Sequence, residues 1–198
     1  MLRQTGDGLA VIKREKLLQV SMLLGSGLNL IIAPITILLP LFVRDIKKVG
    51  DEFFPILVGG LLIGLIIGSL TAPLTARRIG LGPMAIASIC ILGIVVCIAS
   101  WPPGIIAPLV SMFIAGICIG SLSVAQTTML QSSTTDDERG RVSAAYFTFT
   151  LGVRPLSYLT AGIFASAIDI RYIFVFFGLA ALSLGLFLLR IPQVRDHR

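Results

Sequence analysis

Arg154 is the one charged side chain that falls inside a long apolar run of this chain. The run covers residues 143–168 and is long enough to cross a bilayer as a tilted helix. A charge at that depth costs about 2.5–3.5 kcal/mol on insertion scales, so it normally faces protein or water rather than lipid. Two interpretations stay open: Arg154 binds or gates a solute, or it holds two helices together through a carbonyl or hydroxyl group. Pro155 follows and has no backbone N–H, which predicts a bend beside the charge.

The polar segment before this run predicts where its helix starts. Thr135 and Glu138 have the spacing of a capping box, in which each side chain bonds a free backbone N–H at the helix start. We therefore expect the helix to begin near Asp136. Acidic groups then occupy the first turn, where the positive end of the helix dipole favours them, and basic groups follow at the edge of the apolar run. The acidic groups are Asp136, Asp137 and Glu138, and the basic groups are Arg139 and Arg141.

The composition excludes a soluble domain. Apolar residues make up 56% of the 198 residues and charged residues 13%, and the mean hydropathy is +0.97. Six apolar runs separated by short charged or Pro/Gly-rich breaks predict an all-α, polytopic membrane protein embedded in a lipid bilayer. A barrel would need alternating apolar and polar residues, whereas these runs are apolar on every face. The predicted spans are residues 17–43, 54–72, 83–100, 104–124, 143–168 and 172–189, between a leader at 1–16 and a tail at 190–198.

The basic residues predict the orientation of the chain. By the positive-inside rule, the side richer in Lys and Arg is cytoplasmic, which predicts a multi-pass protein of the cytoplasmic membrane with both termini inside the cell. Although the net charge is +6, the basic residues are spread over short loops, so no nucleic-acid partner is expected. The richer side holds Arg3, Lys13, Arg14, Lys16, Arg77, Arg78, Arg139, Arg141, Arg190, Arg195 and Arg198, and the other side holds Arg44, Lys47, Lys48 and Arg171.

Small and polar residues inside the spans predict how the helices pack. Gly60, Gly64 and Gly68 recur at intervals of four in the second span, and Gly116 and Gly120 do so in the fourth. Such spacing removes side chains from one helix face and predicts close approach to a neighbouring helix. Asn29 in the first span needs a hydrogen-bond partner in lipid, so it should face other helices or a cavity.

The residues needed for an enzyme or a metal site do not come together in the sequence. Cys90, Cys97 and Cys118 lie inside apolar runs without a CxxC motif, which indicates buried thiols rather than disulfides or metal ligands. There is no nucleophile with its base and no phosphate-binding glycine loop, so we expect no enzyme activity, no metal and no cofactor. None of the ten acidic residues falls inside a predicted span. Because proton-coupled transporters usually carry the proton on an intramembrane carboxylate or His, a proton carrier would have to lie outside this chain.

Two stretches resemble motifs of a known family. The sequence GSLTAPLTARRIGLGPM resembles the cytoplasmic loop that the major facilitator superfamily repeats after its second and eighth helices. The sequence TMLQSSTTDDERGRVSAAYFTFTLGVRPLSYLTAGIF resembles the junction between the tenth and eleventh helices of that family. The whole chain resembles the C-terminal six-helix half of such a transporter, in the exporter branch that includes macrolide efflux and siderophore exporter proteins. Arg77 stands where the family would have an acidic residue, so a gate that depends on that carboxylate is either absent here or left to the other half.

The resemblance implies a function and a set of residues. The spans would be helices seven to twelve of twelve. The chain would move a small amphipathic organic molecule out of the cell by alternating access. It would do so together with a second six-helix half, supplied by another chain or by a copy of itself. The open alternative is a truncated or non-transporting six-helix membrane fragment, or an assembly partner without transport activity of its own. Residues implied for the substrate cavity or the interface between halves are Asn29, Ser121, Gln126, Arg154 and Tyr158, and those implied for the cytoplasmic gate are Arg77, Arg78, Asp136, Asp137, Arg139 and Arg141.

Overall fold

The computed structural model describes residue 12 and residues 15–46, 53–101 and 104–191. Apolar helices separated by short turns account for nearly all of this part of the chain. This part contains no strand. The α-helices are α1 (Lys16–Leu41), α2 (Phe53–Ile79), α3 (Leu81–Ser100), α4 (Ile106–Ser132), α5 (Asp136–Gly152), α6 (Arg154–Ala167) and α7 (Ile170–Leu189), and a π-helical turn (Phe42–Ile46) continues α1.

These helices make six membrane segments. Within the described ranges, five segments are long and apolar enough to cross a membrane by themselves: Leu18–Arg44, Phe53–Ile79, Leu81–Ser100, Ile106–Ser132 and Ile170–Leu189. The sixth consists of α5 and α6, which are separated at Val153. Pro155 explains the break, because it has no N–H to donate to the carbonyl of Leu151. The predicted bend beside Arg154 is therefore present as a break, and the predicted all-α polytopic fold is confirmed.

Two helices extend past the spans predicted from apolarity. The second span was predicted to end at residue 72, but α2 continues to Ile79 and carries Arg77 and Arg78 in its last turn. Likewise, α4 continues to Ser132, beyond the predicted residue 124. A helix bonds its own backbone, so it can leave the hydrocarbon region without a change of structure. The connection between α2 and α3 is reduced to Gly80, whose φ of 92° favours glycine.

Helices α2 and α4 approach each other backbone to backbone. A Cβ added to Gly64 would collide with the carbonyl oxygen of Phe113, and one added to Gly68 would collide with that of Ile117. The contact is reciprocal, since Gly116 and Gly120 lie against the carbonyls of Leu61 and Leu65. Gly60 lies at the looser end of the same contact, where an added Cβ would be 3.2 Å from a side-chain carbon of Leu109. All five glycines expected to pack helices thus lie at this contact.

The remaining helices pack around this pair. Gly178 and Gly185 of α7 lie against the thiol sulfurs of Cys97 and Cys90 on α3. The π-helical turn places Phe42 on Phe174 of α7, with ring centroids 4.4 Å apart. Near the start of α1 a smaller apolar cluster joins α1, α4 and α5, and it includes Ile12, which is buried. The other residues of the predicted leader, except residues 15 and 16, lie outside the described ranges.

Candidate functional site: a polar contact in the middle of the bundle

Arg154 and Asn29 meet although 125 residues separate them in sequence. Arg154 begins α6, and its Nε donates a 2.6 Å hydrogen bond to Oδ1 of Asn29 on α1. The Nδ2 of Asn29 donates in turn to the carbonyl of Gly25 at 2.8 Å. This second bond fixes the orientation of the amide, so that its oxygen faces the guanidinium.

The contact lies near the middle of both segments. Asn29 is thirteen residues after Lys16 and twelve before Leu41, which is about 20 and 18 Å along α1 at 1.5 Å per residue. Arg154 is thirteen residues, or about 20 Å, before Ala167 at the end of α6. In a bilayer with a hydrocarbon core about 30 Å thick, segments of this length would place the pair near the middle.

A second hydrogen bond joins α1 and α6 one turn away. The buried hydroxyl of Ser157 donates to the carbonyl of Leu30 at 2.9 Å. That carbonyl would ordinarily accept from the N–H four residues later, but Pro34 occupies that position and has none. Ser157 thus satisfies a carbonyl that the proline frees, as polar side chains of neighbouring helices do in membranes.

Gly25 lets α5 approach α1 beside this contact. A Cβ at Gly25 would lie 2.5 Å from Oη of Tyr146 and 2.8 Å from the methyl group of Thr150. Tyr146 is 5% exposed, and its hydroxyl has no hydrogen-bond partner among the residues described. Gly25, Asn29, Tyr146 and Arg154 therefore form one continuous strip across α1, α5 and α6.

Arg154 is exposed on the surface of the bundle, and Asn29 is half-buried beneath it. Tyr158 lies one helical turn after Arg154, on the same face of α6, and is 40% exposed. Among the described residues, only Nε of the Arg154 nitrogens has a hydrogen-bond acceptor. The two terminal nitrogens of the guanidinium are open to an added group.

An open, mostly apolar cleft of about 600 Å³ lies near the hydrogen bond between Ser157 and Leu30. It lies between α1, α6 and α7, and its lining includes Leu30, Thr160, Phe177, Leu184 and Phe187. Leu30 belongs to both features, because its carbonyl accepts the Ser157 bond. The lining includes Thr160 of α6 but not Arg154, Asn29 or Tyr158, and the size of the cleft suits a small organic molecule.

Ser121 is expected at the cavity, but the structure places it elsewhere. It is 8% exposed, and its hydroxyl donates to the carbonyl of Gly68 at 3.4 Å. Ser121 follows Phe113 and Ile117 at intervals of four, so it continues the row of α4 residues that packs into the glycine groove of α2. It belongs to the helix contact and not to an open surface.

Gln126 lies on α4 and takes no part in the hydrogen bonds of the Arg154–Asn29 contact. Its Nε2 is buried and has no hydrogen-bond partner within the described part of the chain. Of the five residues expected at the cavity or the interface between halves, Arg154 and Asn29 are bonded to each other, and Tyr158 shares the face of Arg154. Ser121 lies at the α2–α4 contact, and Gln126 has a buried amide nitrogen without a hydrogen-bond partner among the described residues.

The profile of the Major Facilitator Superfamily matches residues 17–198, which is more than nine-tenths of the chain. The chain belongs to the major facilitator superfamily. Members of this superfamily are transporters, and the six helical segments agree with a multi-pass membrane protein of that kind. No curated protein and no solved structure is significantly similar to the chain.

The residues implied for the cytoplasmic gate lie at helix ends of this major facilitator domain. Arg77 and Arg78 are exposed in the last turn of α2, and Arg139 and Arg141 are exposed near the start of α5. The side chains of Asp136 and Asp137 lie outside the described residues.

Helix α5 begins at Asp136 as predicted, but the capping box does not form as expected. The hydroxyl of Thr135 donates to the carboxylate of Glu138 at 3.1 Å, instead of accepting from a backbone N–H. The first turn of α5 therefore has no side-chain cap from Thr135.

Proposed function

We propose that this chain is one six-helix half of an efflux transporter that moves a small amphipathic organic molecule across the cytoplasmic membrane by alternating access. The observation that carries the proposal is the exposed Arg154, held by Asn29 at the middle of two membrane segments. An ionisable side chain at that depth normally faces a water-filled cavity or a protein partner and marks a solute pathway. In major facilitator proteins, substrate sites lie near the midplane between two pseudosymmetric halves.

The packing supports a second half on the side of Arg154. Glycines join α2 to α4 and α3 to α7 with close backbone contacts, whereas α1 meets α6 through two side-chain hydrogen bonds. The exposed guanidinium lies on this second contact. A second six-helix half, from another chain or from a copy of this one, would enclose Arg154 and Tyr158 between the two halves.

The export direction and the orientation rest on the sequence. The stretch around Arg154 resembles the exporter branch of the superfamily, and the basic residues predict both termini on the cytoplasmic side. None of the described membrane helices α1–α4, α6 and α7 contains Asp, Glu or His. If transport is coupled to protons, the second half would supply the proton carrier.

The proposal is tested by cellular accumulation of a panel of amphipathic compounds, measured by mass spectrometry. Cells would express the 198-residue chain, its Arg154→Ala variant or its Arg190→Ala variant, at matched membrane levels. Arg190 is an exposed arginine just after α7. The Arg190→Ala variant therefore also removes one positive charge, but at a helix end. We expect lower accumulation of at least one compound with the wild-type and Arg190→Ala chains than with Arg154→Ala. Equal accumulation in all strains, including an empty control, would reject the transport proposal.

A further inference from the structure

The charge of Arg154 has no counterion within the described part of the chain. The nearest acidic residues along α5 and α6 are Glu138 and Asp169, which are sixteen and fifteen residues away, or about 24 and 22 Å along a helix. Asp169 is already used, because its carboxylate accepts from the N–H of Arg171 at the start of α7. The partner of Arg154 is Asn29, whose amide is neutral. Asn29 therefore orients the guanidinium without balancing its charge.

The orientation leaves a specific pair of donors. The Nε of Arg154 is bonded to Asn29, and the amide of Asn29 is held by the carbonyl of Gly25. The N–H groups on Nη1 and Nη2 remain, and their parallel geometry matches two oxygens of one carboxylate or sulfonate group. Side-chain ordering is already achieved by Asn29, so less conformational freedom is lost when an anion binds.

An apolar surface lies beside the Nη1 and Nη2 groups of Arg154. The ring of Tyr158 provides an exposed aromatic surface on the face of Arg154. A lipid phosphate is an unsuitable ligand, because headgroups lie about 15 Å from the middle of the hydrocarbon core.

We propose that Arg154, oriented by Asn29, binds the acidic group of an amphipathic organic anion whose apolar body lies against Tyr158. This inference rests on the proposed transport function, because it names the class of substrate for the same site. The competing partner is a carboxylate on the second half, which would neutralise Arg154 without a ligand. The two are separated by the experiment below.

The test compares an acid with its neutral amide on the purified 198-residue chain in phosphatidylcholine nanodiscs. Equilibrium dialysis would measure binding of 2-naphthoate against 2-naphthamide, and of decanoate against decanamide. Within each pair the apolar body is the same and only the charge differs. We expect the wild-type chain to bind each acid at least tenfold more tightly than its amide.

Four variants assign the preference to the proposed atoms. Arg154→Gln should reduce the ratio of acid affinity to amide affinity to about one. Arg154→Lys should keep the charge but give an intermediate ratio, because lysine lacks the two parallel N–H donors of the guanidinium. Asn29→Ala should lower acid affinity and leave amide affinity unchanged, since Asn29 is a positioning residue. Arg190→Gln is the matched control and should leave the ratio unchanged. Circular dichroism and gel filtration would establish that each variant is folded.

Several results would overturn the inference. They are a wild-type chain with no preference for the acid in either pair, a preference that persists in Arg154→Gln, and loss of assembly with a second half in Arg154→Gln without any change in the ratio. The last result would assign Arg154 to a protein carboxylate. Because dialysis needs no transport, a chain that prefers the acids but changes no cellular accumulation would keep this inference and reject the transport proposal.

Discussion

Ser157→Ala tests whether the Ser157 hydroxyl serves the carbonyl that Pro34 frees on α1. The substitution removes a buried donor and leaves the Leu30 carbonyl without its partner. Interhelical hydrogen bonds in membranes contribute about 0.6 kcal/mol on average and up to about 1.7 kcal/mol. Because the Leu30 carbonyl has no N–H from its own helix, we expect a loss in the upper part of this range, about 1–1.5 kcal/mol. The free energy of unfolding would be measured by titration with sodium dodecyl sulfate in mixed micelles, followed by circular dichroism.

Pro34→Ala completes a double-mutant cycle with Ser157→Ala. An alanine at position 34 restores the backbone N–H that bonds the Leu30 carbonyl, so Ser157→Ala in this background should cost no more than about 0.3 kcal/mol. The coupling between the two positions is then about 1 kcal/mol. Ser183→Ala is a matched control, because the Ser183 hydroxyl bonds only the carbonyl of Ala180 in its own helix at 2.8 Å, and it should change stability by less than about 0.5 kcal/mol. An equal cost of Ser157→Ala with and without Pro34 would refute the reasoning.

Three further predictions concern packing and orientation. Gly64→Ala should destabilise the chain by about 1–3 kcal/mol, because its Cβ collides with a backbone carbonyl of α4. Gly59→Ala in the same helix meets no atom within 4 Å and should be neutral or stabilising by about 0.5–1 kcal/mol. The same titration measures both variants, and equal effects would contradict the glycine contact. Gly25→Ala should cost less than Gly64→Ala, because the obstructing groups are the side chains of Tyr146 and Thr150, which can move; a larger loss in the titration would contradict this. A fluorescent protein fused after Arg198 should fluoresce and an alkaline phosphatase fused there should be inactive, since both termini are predicted to be cytoplasmic; the opposite pair of results would reverse the orientation.

The fold class could be predicted from the sequence because bilayer thickness sets a minimum length for each apolar run. The ends of the helices could not, since apolarity marks the hydrocarbon region while backbone hydrogen bonding sets the helix. Arg77 and Arg78 illustrate the difference, because they are polar and yet lie in the last turn of α2. The glycine spacing in α2 and α4 indicated the contact between these helices in advance. Glycine has no side chain, and this absence is what lets the two backbones approach.

The site could be predicted only in part. Arg154 and Asn29 stand out because polar groups are rare in apolar runs, but their hydrogen bond depends on how α1 and α6 meet. For Ser121, polarity alone suggested a cavity, whereas its helical row with Phe113 and Ile117 indicates the α2 contact. Tyr146 carried no sequence signal that would connect it with Gly25.

The two prolines and the polar contact are parts of one arrangement. Pro34 frees the Leu30 carbonyl on α1, Pro155 breaks the ladder between α5 and α6, and the Ser157 and Arg154 hydrogen bonds join the two helices at these points. Separating α1 from α6 would break two hydrogen bonds, whereas separating α2 from α4 would open a close-packed backbone contact along the glycine rows. For the alternating access proposed above, we therefore expect the rearrangement to occur at the α1–α6 contact while α2 and α4 move as one body. Cross-linking cysteines placed across α2–α4 should then leave transport intact, and cross-linking across α1–α6 beside Arg154 should abolish it.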